Sequence, residues 1–219
     1  MTSSRLFNEM NSVRSCIIGV AGSGKAGKST QGHSFAYYVP NFRRRPHYLF
    51  ESDDVDCSAF PGYKVIDDFD KVQPGSVLVV EDLIRHFQSR GSGQQVMLPP
   101  FLGSMSQKDI ILIFSVQSMA DADLALFRLQ NFILCNKVMY DEDIQFERPE
   151  FRALQTHANY EIRKFSELHP EHDIRSLVYS SRYSEVSVWP MPDWWSDDCA
   201  YYLRDVPVCR KKEKGRGVS

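Results

Sequence analysis

Residues 22–30, Gly22-Ser23-Gly24-Lys25-Ala26-Gly27-Lys28-Ser29-Thr30, read GSGKAGKST and carry the spacing G-x-x-x-x-G-K-[ST] on Gly22, Gly27, Lys28 and Ser29. Each residue type has a task in holding a polyphosphate. Glycines let the backbone turn left-handed and come close to phosphate oxygens. The amides of the loop, those of Ser23, Gly24, Lys25 and Ala26 included, then point inward as an anion nest at the start of a helix, where the dipole also favours negative charge. Lys28 is expected to reach the β- and γ-phosphates and the Ser29 hydroxyl to ligate Mg2+, with Thr30 the last residue of the cradle. The stretch predicts a site for ATP or a related nucleotide with magnesium. A second register from Gly19 to Lys25 has the same G-x-x-x-x-G-K spacing but puts Ala26 where the hydroxyl is needed, and is set aside. Lys25 is then an extra lysine of the loop, turned either to the phosphates or to solvent.

The loop's flanks suit it. Cys16 to Val20 (CIIGV) is an apolar run of the kind that marks a strand buried on both faces, and Ser29 to Val39 suits a helix that Pro40 would end. Further strands are expected at His47 to Glu51, Tyr63 to Ile66, Ser76 to Val80, Ile110 to Val116 and Phe132 to Val138. After Pro149, the residues Phe151, Leu154, Ala158, Ile162, Phe165 and Leu168 recur at helical spacing. Val178 to Trp189 breaks the rhythm and reads as a hairpin at the sheet edge. Strands alternating with helices predict an α/β fold with a mostly parallel central sheet flanked by helices.

The 219 residues suit one such domain, expected over residues 15–208. Residues 1–14 read as a polar arm or an amphipathic lead-in, and residues 209–219 as a basic tail with five basic residues against one acidic. A formal charge of −2 imposes no global attraction to nucleic acid, although a local basic patch can still bind phosphates. Five scattered cysteines with no C-x-x-C pair argue against a zinc or redox motif and fit reduced thiols. The N-terminus lacks the apolar run of a signal peptide, and no stretch approaches the roughly 18 apolar residues of a membrane span. No stable membrane insertion is expected.

A magnesium-dependent hydrolase also needs a carboxylate near the metal and a group that orients or deprotonates water. Val77 to Asp82 (VLVVED) offers both at the end of a buried strand, the edge where catalytic groups gather in open α/β sheets. Glu81 is assigned to the metal's water shell and Asp82 to the attacking water, with the reverse order open; the plainer reading is an acidic first turn of a helix. Gln117 ends the strand IILIFSV, where its amide either contacts the γ-phosphate or merely caps the strand. A contact with the γ-phosphate requires that strand to lie between the phosphate-loop strand and the Glu81 strand.

The loop GSGKAGKST, the strand VLVVED and the strand IILIFSVQS closing on Gln117 together resemble the FtsK–HerA superfamily of additional-strand (ASCE, RecA-like) P-loop NTPases. Within it the likeness is to the genome-packaging ATPases of membrane-containing icosahedral viruses, of the tectivirus and turreted-archaeal-virus type. The likeness spans residues 15 to 118, and its Walker A and Walker B elements are the loop and VLVVED. The glutamate–aspartate order reverses the family's usual order. The resemblance implies an ATP- and Mg2+-dependent motor that threads double-stranded DNA into a capsid as a homo-oligomeric ring, expected to be hexameric. It also implies contact with capsid vertex proteins, a location in the virion or host cytoplasm, and an arginine supplied in trans, for which Arg85, Arg90 and Arg128 are candidates.

Other readings stand beside it. GKSTQG also resembles nucleotide kinases, which transfer the phosphoryl group to a small acceptor, and a non-catalytic nucleotide switch would bind without turnover. Arg43, Arg44 and Arg45 form a basic knot that either tracks a DNA backbone or is a solvated loop. Trp189, Trp194 and Trp195, interleaved with Pro190 and Pro192, either stack on bases or seal the edge of a core. His169 and His172 have no companions at metal-ligand spacing.

Overall fold

Apolar runs without alternation need cover on both sides, and the sheet is built that way. A computed structural model describes residues 5–24, 26–51, 58–83, 98–120, 126, 132–136, 139–171, 175–180, 184–196 and 198–199. Its strands are β1 (Cys16–Ala21), β2 (His47–Phe50), β3 (Tyr63–Ile66), β4 (Val77–Val80), β5 (Ile111–Val116), β6 (Phe132–Asn136), β7 (Arg175–Ser180) and β8 (Ser184–Val188). They form one sheet in the order β3-β2-β4-β5-β1-β6-β7-β8. The six strands from β3 to β6 run parallel, and β7 and β8 add an antiparallel hairpin. That hairpin is the break in rhythm expected near the end, beginning at Arg175 instead of Val178.

The topology turns on β5. It pairs with β1 through Ile18↔Ile113 and with β4 through Val79↔Ile113, so it is the inserted strand that the Gln117 reading required. Because β1, β4 and β5 are parallel, their C-terminal ends share one edge. The phosphate loop, Glu81 and Gln117 follow those ends directly.

Helices cover both faces. On one face, Ile18, Val20, Val79 and Ile113 pack with Leu6 and Met10 of α1 (Arg5–Ser12), Phe35 of α2 (Lys28–Tyr38) and Phe42 of α3 (Pro40–Arg43). On the other, Leu78, Val80, Leu112 and Phe114 pack with Phe101 and Leu102 of α4 (Leu98–Ser104) and with Ala158 and Ile162 of the long C-terminal helix. A short α5 (Asp141–Ile144) precedes that helix, α6 (Pro149–Leu168). Pro40 ends α2 as expected and starts α3, where its missing N–H costs nothing.

Two expectations change. For residues 1–14 the polar arm gives way to the other reading, the amphipathic lead-in: Leu6 and Met10 are fully buried, so the stretch contributes to the core from Arg5 onward. They lie four residues apart, on one face of a helix. In α6 the last buried residue of the apolar stripe is Ile162, and Leu168 is 69% exposed. Asn159 instead ties α6 to the chain just beyond β6, accepting from Met139 N at 2.9 Å and donating to Met139 O at 2.7 Å. The basic tail lies outside the described residues. Among the described residues no helix is long and apolar enough to cross a membrane.

Met10→Ala should lower the free energy of unfolding by about 2–5 kcal/mol, read from urea denaturation, because it opens a cavity between α1 and the sheet. A loss below about 0.5 kcal/mol, the size of a surface change, would show that α1 is not part of the core.

Candidate nucleotide site

The loop between β1 and α2 is shaped by its glycines. Gly27 caps α2 at φ 82°, ψ 23°, in the left-handed region that a side chain strains. From there the helix starts at once, with Gln31 N–H donating to Gly27 O at 2.9 Å. Gly22 N–H donates to Val116 O at 3.3 Å, which ties the entrance of the loop to the end of β5. Within the loop Ala26 N–H turns back to Ser23 O at 3.2 Å. Ser23 is half-buried, Gly24 is exposed, Ala26 and Thr30 are buried, and Lys25 lies outside the described residues. Lys28 folds its ammonium over the loop and donates to Ser23 O at 2.9 Å. Burial pulls its pKa below the usual lysine value, against the charges of Asp82 and Glu81, which hold it up.

The acidic pair at the end of β4 splits in two directions. Glu81 is 2% exposed and turns under α2, where its Oε2 accepts from Ser29 Oγ at 3.0 Å and its Oε1 lies 2.8 Å from His33 Nε2. Asp82 is half-buried, takes φ 45° and donates its N–H to Ser115 Oγ at 2.9 Å. Aspartate tolerates that left-handed backbone better than most residues. Of the two carboxylates, Asp82 has the stronger effect on Lys28.

Gln117 is exposed and is the first residue past β5, beside the start of the loop. The chain after it is clamped by Glu147, 3% exposed, which accepts from Met119 N at 3.2 Å and Ala120 N at 3.1 Å. Arg148 Nη2 adds a bond to Ala120 O at 3.1 Å.

The remaining predicted residues lie elsewhere. Arg43 and Arg44 are exposed on and just past α3, and Arg45 donates to Asp109 O. Since α3 precedes β2 and Asp109 precedes β5, this knot sits at the opposite edge of the sheet from the phosphate loop. Arg85, Arg90, Arg128 and His172 lie outside the described residues. Trp189 packs edge-on against Phe35 at 4.6 Å, and Trp194 and Trp195 lie against His33 at 5.7 and 5.5 Å, so these aromatics seal the outer side of α2.

Ser29, Glu81, Lys28 and a left-handed Gly27 fit a magnesium nucleotide by their chemistry. Two hard oxygen donors suit a cation that keeps waters and substrate phosphates as its other ligands. His33, Tyr63 and Glu147 are the site's neighbours that the sequence reading missed. His33 stands four residues after Ser29, hence on the same helix face, and that spacing was the one available signal.

The fold is similar to that of the genome packaging NTPase from Sulfolobus turreted icosahedral virus 2 in complex with ATP-γS, at a TM-score of 0.53 and 13% identity, covering 81% of this chain and 98% of that one. It is similar to the DNA-packaging ATPase from Sulfolobus turreted icosahedral virus (TM-score 0.52, 15% identity, 81% and 98% covered). The chain has the P-loop NTPase fold. The pCW3 conjugation coupling protein TcpA, in monomer form with ATPγS, is similar too (TM-score 0.56, 11% identity), with 86% of this P-loop chain and 64% of that one covered. No protein-family model and no curated protein matches the sequence. These fold relatives are of the kind to which the motifs pointed.

Gly27→Ala should weaken ATP binding about tenfold or more, since left-handed strain of roughly 1–2 kcal/mol falls on the cradle itself. Calorimetric titration checks this. Unaltered affinity would mean that the left-handed cap does not shape the phosphate site.

Proposed function

We propose that this chain is a Mg2+-dependent ATPase that drives double-stranded DNA into a viral capsid as a ring of identical subunits. The observation that carries the reading is the strand order, in which β5 separates β1 from β4 and gathers loop, acidic pair and Gln117 at one edge. This additional strand speaks for a hydrolytic motor over a nucleotide kinase. The fold relatives, a packaging NTPase and a conjugation coupling protein, support it.

In this reading the amides of residues 22–30 hold the phosphates, and the Lys28 ammonium exchanges the Ser23 carbonyl for phosphate oxygens. Ser29 and Glu81 would hold the magnesium ion, which would supply positive charge against the negative charge that develops on the phosphates. Asp82 orients the attacking water and takes its proton, and Gln117 reports the loss of the γ-phosphate. The segment 118–120, clamped by Glu147, carries that report away from the site. The exposed Arg43 and Arg44 are candidates for the DNA backbone. The ring is hexameric, completes each site with an arginine in trans, and meets the vertex proteins of the capsid in the virion or host cytoplasm.

Purified chain should release phosphate from ATP faster with double-stranded DNA than without, and Lys28→Ala should abolish release. Asp82→Asn keeps a residue that accepts the left-handed backbone, so it should bind ATP normally while turnover falls about 10²–10⁴-fold. Binding without DNA-stimulated release by the unaltered chain would contradict the motor, and transfer to a nucleoside acceptor would make it a kinase.

A further inference from the structure

We infer that His33 is a positioning residue for Glu81, holding the carboxylate in place from the far side of Ser29. The inference rests on the nucleotide reading above and assigns the site a third member.

Seven consecutive residues of α2, Thr30 to Ala36, are buried, and four of them are polar. Polar groups enclosed in this way need partners. His33 is 0% exposed and has a partner for each ring nitrogen: Nε2 at 2.8 Å from Glu81 Oε1, and Nδ1 at 2.9 Å from Tyr63 Oη. An ionised carboxylate only accepts, so Nε2 carries the hydrogen and donates to Glu81. Nδ1 shares the second hydrogen bond with the Tyr63 hydroxyl, which can serve as donor or acceptor. Burial, with the Glu81 charge adding to it, pushes the Tyr63 phenol well above its ordinary value, so the hydroxyl keeps its proton. Tyr63 thus holds the imidazole from behind, with Nε2 turned to the carboxylate.

The geometry divides the work on Glu81. Ser29 and His33 are one helical turn apart and each takes one carboxylate oxygen, at 3.0 and 2.8 Å. Ser29 is also the residue whose hydroxyl the metal requires. When that hydroxyl turns to the metal, the bond from His33 still fixes the Glu81 rotamer and leaves Oε2 free to accept. Hydrogen bonds from behind a metal-associated group orient it in the same way as imidazole ligands are oriented by their own partners.

Water is kept from the imidazole by four rings: Phe60 at 5.0 Å, Tyr63 at 5.1 Å, Trp195 at 5.5 Å and Trp194 at 5.7 Å. The two tryptophans belong to a strap after β8 that is fastened to α2. The Tyr38 hydroxyl donates to Met191 O at 2.9 Å, and the Ser34 hydroxyl lies 2.9 Å from Pro190 O. Without competing water, the bond to Glu81 is stronger than an exposed one.

The test uses the full chain and the variants His33→Leu, His33→Gln and Tyr63→Phe, each first checked for a wild-type circular dichroism spectrum. ATPγS affinity is measured in EDTA and again with Mn2+, and the Mg2+ concentration for half-maximal turnover is read beside kcat. His33→Leu should leave the EDTA affinity unchanged and cut the affinity gained from Mn2+ by about 10–100-fold, as losing the partner of a metal-associated group does. His33→Gln, whose amide N–H still reaches Glu81, should restore most of it, and Tyr63→Phe should fall between the two. Equal losses with and without Mn2+ would reduce His33 to a packing residue and overturn the inference. A folded His33→Leu with the wild-type Mn2+ gain, or a His33→Gln as impaired as His33→Leu, would overturn it as well. Failure confined to the variants leaves the nucleotide reading standing. If the unaltered chain gains nothing from Mn2+, that reading falls and takes the inference with it.

Discussion

A carboxylate buried to 2% exposure has to be hydrogen-bonded or lose its charge, and Glu81 is bonded on both oxygens. Everything that brings those bonds together is fold. The end of β4 delivers the glutamate, and the first two turns of α2 deliver Ser29 and His33. Gly32 lies between them and lets the helix close onto the sheet: a Cβ there would stand 3.3 Å from Ile113 Cγ2. That contact is tight by a few tenths of an ångström, so the glycine favours the close approach that keeps Ser29 and His33 on the carboxylate.

Helix α2 therefore serves two faces. Its inner side presents the loop, the hydroxyl and the imidazole to the sheet edge. Its outer side takes α1, α3 and the aromatic strap, through Phe35, Ala36 and Trp189. The polar sequence KSTQGHS, buried over most of its length, is stabilised by this enclosure more than by helix propensity. Loosening the outer cover and disturbing the inner contacts are in this respect the same act, since His33 touches both.

The central strands and the loop between β1 and α2 were legible because each carries a local signal: continuous apolar runs for β1, β4 and β5, and fixed glycine spacing for the loop. The position of β5 followed from one polar residue, Gln117, at the end of an apolar strand. What was not legible depends on contacts between distant segments. His33 and Tyr63 are thirty residues apart, and neither belongs to a motif. Helix α2 shows no apolar stripe because it is buried nearly all round, so periodicity could not say which side faces Glu81. Leu168 has the right spacing but is exposed, because spacing alone does not say where along a helix the packing ends. The tryptophans carried two readings in sequence, and their packing on Phe35 and His33 is that of a seal.

The central claim is that the ends of β1 and β4 build one magnesium-nucleotide site. A crystal structure of the full chain grown with Mg2+ and ATPγS tests it most directly. The account predicts β- and γ-phosphates on the amides of residues 22–30, Lys28 moved off Ser23 O, and the metal on Ser29 Oγ with Glu81 beside it. Nucleotide bound away from the loop, or a metal held without Ser29 and Glu81, would contradict the account.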